Sequence, residues 1–135
     1  MIRRIAHIAM VVKDLQAALA LYERALGLTC SHMEEIPEQE VTIAFLPTGD
    51  SEIELLQPTT ADSGIARFLE KRGEGMHHIC LEVDDIEAML AELKARGVAL
   101  INERPKQGAY GRIAFIHPKA AHGVLIELME PPTAP

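Results

Sequence analysis

Only two cysteines, Cys30 and Cys80, occur in the 135 residues. That is too few for the disulfide framework of a small secreted domain, so both are expected as free thiols. No apolar run approaches the roughly 18 residues of a membrane span. The start, Met1-Ile2-Arg3-Arg4-Ile5, enters the first apolar segment without the length or cleavage pattern of a secretory leader. A cytoplasmic protein is expected. Basic charge is also scarce: 13 Lys and Arg stand against 20 Asp and Glu, a net charge of −7. This argues against nonspecific nucleic-acid binding, which needs a basic face to displace counterions. Acidic residues are themselves missing from one stretch. Between Glu103 and Glu127 there is none, while Arg104, Lys106, Arg112 and Lys119 all fall there. Such a segment is either a solvated basic loop or a surface that steers a small anionic ligand.

What the chain does have is a repeat. His7-Ile8-Ala9-Met10-Val11-Val12-Lys13-Asp14-Leu15 returns as His78-Ile79-Cys80-Leu81-Glu82-Val83-Asp84-Asp85-Ile86. Ile43-Ala44-Phe45-Leu46-Pro47 is echoed by Ile113-Ala114-Phe115-Ile116-His117-Pro118, and Ile53-Glu54-Leu55-Leu56-Gln57-Pro58 by Ile126-Glu127-Leu128-Met129-Glu130-Pro131. A period of about 70 residues marks a duplicated module with small loop changes. Halves of that size are marginal alone and are expected to share one core in a single domain.

Each copy reads β-α-β-β-β. Arg4 to Val12 is a strand that stops at Lys13-Asp14, where Asp14 can cap a helix bearing Leu15, Leu19, Tyr22 and Leu26 and ended by Gly27. Strands are then expected at Leu28–Met33, Val41–Leu46 and Glu52–Leu56. The second copy predicts a strand at His78–Val83 and a helix bearing Ile86, Met89, Leu90 and Leu93 before Gly97. Its remaining strands are expected at Ala99–Asn102, Arg112–His117 and Val124–Met129. Module one covers about 1–60 and module two about 75–131, with a linker helix at about 62–72. The expected fold is α+β: two tandem βαβββ modules forming a curved mixed sheet around a metal site.

The metal expectation comes from four side chains. Strand alternation turns Glu54 away from Ile53 and Leu55, and Glu127 away from Ile126 and Leu128. If the apolar pairs pack under the helices, both carboxylates face the concave side, where they are costly unless paired, hydrogen-bonded or metal-bound. His7 and His78 begin strands at corresponding ends. Any one of these residues has an ordinary structural reading; the repetition of an acid at mirrored positions favours ligation. Pseudo-twofold symmetry would gather His7, Glu54, His78 and Glu127 around one divalent ion. Cobalt stands first, with nickel, manganese and zinc as alternatives. Cys80 should share the face of His78 as a wall residue, and His77 should face the other way and pack.

Paired βαβββ modules with this His/Glu/His/Glu set resemble the vicinal oxygen chelate superfamily over the whole chain. Within it, Pro37-Glu38-Gln39, Phe68-Leu69-Glu70-Lys71-Arg72-Gly73, Gly75-Met76-His77-His78-Ile79, His117-Pro118-Lys119 and Gly123-Val124-Leu125-Ile126-Glu127-Leu128 resemble the methylmalonyl-CoA epimerases. The resemblance implies an isomerase that removes and returns a proton at C2 of an acyl-CoA through a metal-stabilised enolate. Glu38 and Glu127 would be the two proton carriers, and the protein a homodimer. A malonyl carboxylate and the CoA phosphates would need cationic partners, for which Arg112 and Lys119 are the candidates. Two alternatives share the fold: glyoxalase I (lactoylglutathione lyase), with the same four ligands, and a non-enzymatic ligand-binding protein. An extradiol dioxygenase, with two histidines and one glutamate, is disfavoured because Glu54 fills a position that chemistry leaves open.

Overall fold

The computed structural model describes residues 1–133. Contacts divide the chain into two units, one of residues 7–77 and one of residues 1–6 with 78 onward. The fold class is α+β with a mixed sheet. The first strand, β1 (Ile2–Val11), contributes its start to the second unit and its end to the first.

In the first unit β1 leads to α1 (Leu15–Leu19), which continues as a π-helical stretch, Ala20–Ala25. The strands β2 (His32–Ile36), β3 (Val41–Thr48) and β4 (Ser51–Pro58) follow. The order is β2-β3-β4-β1, antiparallel except for the parallel β4–β1 pair. The second unit repeats this with β5 (Gly75–Val83), α3 (Ile86–Ala95), β6 (Lys106–Gln107), β7 (Arg112–Ile116) and β8 (Ile126–Glu130). Here β5 and β8 pair in parallel, and β8–β7 and β7–β6 are antiparallel. Between the repeats lies α2 (Gly64–Arg72), capped by the Ser63 hydroxyl.

Both helices that cross over between parallel strands start in the same way. Asp14 and Asp85 accept first-turn N–H groups at 2.9–3.3 Å and 3.0 Å, satisfying donors that the helix leaves unpaired. The end of each module's last strand supplies a further acceptor: Gln57 Oε1 takes the Leu15 N–H at 2.8 Å, and Glu130 Oε1 the Ile86 N–H at 3.0 Å. Gly27 and Gly97 end the helical segments at φ +80 and +78, where other residues would be strained. Leu15 and Leu19 bury against Val12, Ala44, Leu46 and Leu55; Ile86 and Leu90 bury against Val83, Ala114, Ile116 and Leu128. One sheet face of each module is thereby covered. In the first unit the opposite face carries Ala9, Val11, Ile43, Phe45 and Leu56, with Phe68 and Leu69 of α2 packed against it. Among the described residues no helix is long and apolar enough to cross a membrane.

Two expected strands are displaced. The strand placed at Leu28–Met33 begins only at His32, because the residues before it are tied to the helix end: Leu28 N–H to the Tyr22 carbonyl and Cys30 N–H to the Glu23 carboxylate. At Ala99–Asn102 only Leu100 bridges to Ile116. The Ile101 N–H still donates to the Phe115 carbonyl at 2.9 Å and the His117 N–H to the Ala99 carbonyl at 3.0 Å. The Asn102 side chain, however, accepts the Phe115 N–H at 2.9 Å in place of a backbone carbonyl, so the ladder stops there, and β6 pairs only with the start of β7.

The Glu130 carboxyl is held below its ordinary value of 4.5 by the Arg112 guanidinium at 2.8 Å and then by the Ile86 N–H. A carboxyl with a depressed folded pKa adds stability above its unfolded value, and that stability is lost as pH falls through the folded value. Glu130→Gln keeps an acceptor for Ile86, as Gln57 does for Leu15, whereas Glu130→Ala removes it at about 1 kcal/mol, or roughly 4 °C in Tm. Thermal melts at neutral pH should place Glu130→Ala below Glu130→Gln. Urea midpoints of both variants should fall less steeply than the parent's as pH drops below about 4.5; equal slopes would rule out this pair as an acid-sensitive contact.

Candidate active site

Each unit builds one imidazole–carboxylate pair, and both are built by the same register. In the parallel pair β1–β4, Ala9 lies opposite Glu54; in β5–β8, Cys80 lies opposite Glu127. The histidine is two residues upstream in each first strand and so shares the glutamate's face. His7 Nδ1 is 3.1 Å from Glu54 Oε2, and His78 Nε2 is 2.9 Å from Glu127 Oε1. Glu54, His78 and Glu127 are 7–8% exposed, so both carboxylates sit where an unpaired charge is costly and an imidazole N–H is a strong partner. On the antiparallel side Phe45 stands opposite Glu54, and Phe115 opposite Glu127. Each acid thus lies between a small residue and a phenylalanine.

The repeat is not perfect. Module two has Cys80 where module one has Ala9; Cys80 is fully buried, and its Sγ lies within 4.8 Å of a Glu127 carboxylate oxygen. His78 packs edge-on to Phe115 at 5.8 Å, while in the first unit it is His32 of the edge strand that stacks on Phe45 at 4.3 Å. His77, expected to pack, meets Phe68 edge-on at 4.9 Å. The His32 stack was not expected, because it depends on where β2 begins.

Glu38 stands exposed on the single turn Pro37–Gln39, which ends at Glu40 with φ +55. Lys119 is exposed on the turn Pro118–Ala121, its N–H donating to His117 Nδ1 at 3.0 Å. Arg112 lies elsewhere. It is opposite Glu130 in the β7–β8 register, one residue out of phase with Phe115 and Glu127, and therefore on the face that α3 covers. Its guanidinium bonds Glu130 at 2.8 Å and Glu87 at 2.7 Å, and these two carboxylates, Glu130 first, raise its pKa above the ordinary arginine value. The face shared with Glu127 instead carries Glu82, 9% exposed and bonded to Arg4 at 3.0 Å. Glu82 was not singled out from sequence, although it follows His78 by four positions on the same strand face.

Comparison with known proteins is consistent along nearly the whole chain. Residues 6–116 match the model of the Glyoxalase/Bleomycin resistance protein/Dioxygenase superfamily. The human mitochondrial methylmalonyl-CoA epimerase is 43% identical, over 93% of this chain and 72% of that protein. The ethylmalonyl-CoA/methylmalonyl-CoA epimerase of Cereibacter sphaeroides is also 43% identical, over 95% of this chain and 98% of its own length. Among solved structures, a variant of the Streptomyces coelicolor methylmalonyl-CoA epimerase in complex with 2-nitronate-propionyl-CoA superposes with a TM-score of 0.90. It is 38% identical over 98% of this chain and 100% of that one. The chain belongs to the Glyoxalase/Bleomycin resistance protein/Dioxygenase superfamily, within its methylmalonyl-CoA epimerase family.

Proposed function

We propose that this chain is an epimerase that interconverts (2R)- and (2S)-methylmalonyl-CoA by removing a proton at C2 and returning one to the opposite face. The observation that carries the reading is the imidazole–carboxylate pair built twice in one register. The similarity to methylmalonyl-CoA epimerases along both chains supports the substrate.

His7, Glu54, His78 and Glu127 are proposed to hold one divalent ion. Two imidazole nitrogens and two carboxylates are a borderline donor set, suited to cobalt, with nickel, manganese and zinc as alternatives. Within each pair the nitrogen and oxygen lie 3.1 Å and 2.9 Å apart in buried surroundings, a spacing that supports adjacent ligation by both groups. When bound, such an ion supplies positive charge against the negative charge that develops on the substrate's oxygens.

Proton transfer falls to the chain's own acids. A carbon that is protonated on either face needs a carrier on each side of its planar intermediate, and we assign these roles to Glu127 and Glu38. Glu127 is buried and Glu38 solvent-facing, so a proton held by Glu38 exchanges with water more readily than one held by Glu127. A homodimer, a cytoplasmic location and the absence of nucleic-acid partners complete the reading, the last supported by the net charge of −7.

Methylmalonyl-CoA turned over in deuterated water should gain deuterium at C2. Glu38→Gln should slow exchange from one epimer by roughly 10²-fold or more while keeping the parent's metal content; equal exchange in variant and parent would remove Glu38 from the mechanism. Elemental analysis after dialysis should find His78→Ala and Glu54→Ala depleted at least about tenfold relative to the parent. Full metal content in either would refute that residue as a ligand. A parent that turns over the glutathione hemithioacetal of methylglyoxal and leaves methylmalonyl-CoA untouched would favour glyoxalase chemistry.

A further inference from the structure

We propose that Lys106 is a substrate-positioning cation, holding an anionic oxygen group of the acyl-CoA on the sheet face that carries Glu127; this rests on the epimerase reading above. The argument is one of register. In the second unit Phe115 is opposite Glu127, Ile113 opposite Met129, and Lys106 opposite Ile113. Directly opposed residues share a face, and so do residues two apart on one strand. Lys106, Ile113, Met129, Phe115 and Glu127 therefore point to the same side. Arg112, one residue from Ile113, points to the other.

Three further observations make Lys106 fit the part. Its position is pinned by the hairpin that joins β6 to β7. Gly108 N–H donates to the Gly111 carbonyl at 2.7 Å, and a Cβ at Gly108 would lie 2.7 Å from Ile113 Cγ2. Gly108 is thus needed to press β6 onto β7, while a Cβ at Gly111 would collide with the Glu130 carbonyl oxygen, so Gly111 is needed where the start of β7 meets the end of β8. Secondly, Lys106 has no ion pair among the described residues. Met129 and Glu82 are opposed in the β5–β8 register, and Glu82 is already bonded by Arg4 at 3.0 Å with Arg3 at 3.8 Å. Glu103, the acid nearest in sequence, is taken by Lys94 at 2.7 Å. Thirdly, the apolar floor between Lys106 and the carboxylate, formed by Ile113, Met129 and Phe115, suits a neutral stretch of ligand between a reacting carbon and an anionic group. Two strand spacings and two residues separate Lys106 from Glu127, roughly 12 Å between Cα atoms.

The shared chemistry is an anionic oxygen, from the phosphates of CoA or from the acyl carboxylate, and two substrates separate these sources. With methylmalonyl-CoA, Lys106→Ala should raise KM about tenfold, the loss of one charge-assisted contact, with kcat within about twofold; Lys106→Arg should restore most of it. Methylmalonyl-pantetheine, which keeps the carboxylate and lacks the terminal phosphates, should show no such rise if the phosphates are the partner and the same rise if the carboxylate is. Either pattern supports the proposal. An unchanged KM with both substrates overturns it, as does a Lys106→Arg variant no better than Lys106→Ala.

Calorimetric titration of coenzyme A alone gives a readout independent of epimerisation. If the phosphates are the partner, Lys106→Ala should weaken Kd about tenfold, whereas Arg112→Ala should leave it unchanged and lower Tm. Arg112→Ala weakening Kd as much as Lys106→Ala would overturn the assignment by face. A parent without epimerase activity whose CoA affinity still depends on Lys106 would sink the function and leave the cation site standing.

Discussion

The constraint on which the rest depends is the parallel register of the first and last strands of each module. Ala9 against Glu54 and Cys80 against Glu127 fix which face every residue of those strands takes, since a slip of one residue would turn each side chain to the other side. With this register, Leu55 and Leu128 lie under the helices and the two glutamates lie opposite them. A buried carboxylate then requires a partner, and the histidine two positions upstream in the first strand supplies it at 3.1 Å in one unit and 2.9 Å in the other. Fold and chemistry are thus set by one pairing, made twice.

The same alternation separates two uses of positive charge. Arg112 lies on the helix-covered side and is spent on structure: with Glu87 and Glu130 it ties α3 to the end of β8, where Glu130 also receives the first N–H of that helix. Lys106, opposite Ile113, lies on the side of Glu127 and is the cation proposed to meet a ligand. In the first unit the neutral Gln57 does the helix-starting work of Glu130, so the added charge in module two serves the Arg112 contact and is not needed for the cap itself.

The repeat and the two imidazole–carboxylate pairs were legible in the sequence because they depend on strand period and on copied segments, which survive in one dimension. Asp14, Asp85, Gly27 and Gly97 were legible in the same way, as local capping chemistry. The face of each basic residue was not. Arg112 and Lys106 lie in one basic segment, and their directions depend on how a two-residue strand registers against β7 across the Gly108–Gly111 turn. The missing strand at 99–102 had a similar cause: the Asn102 side chain takes the bond from Phe115 that a backbone carbonyl was expected to take. Glu82 went unnoticed because its partner, Arg4, is 78 residues away in sequence.

The central proposal is that two copied pairs serve one ion. Calorimetric titration of the metal-free protein with cobalt tests it most directly, because independent pairs and a joint site differ in stoichiometry. The account predicts one ion per chain, and loss of that single binding event alike in His7→Ala and in His78→Ala. Two ions per chain, or variants that each lose one binding event and retain another, would contradict it.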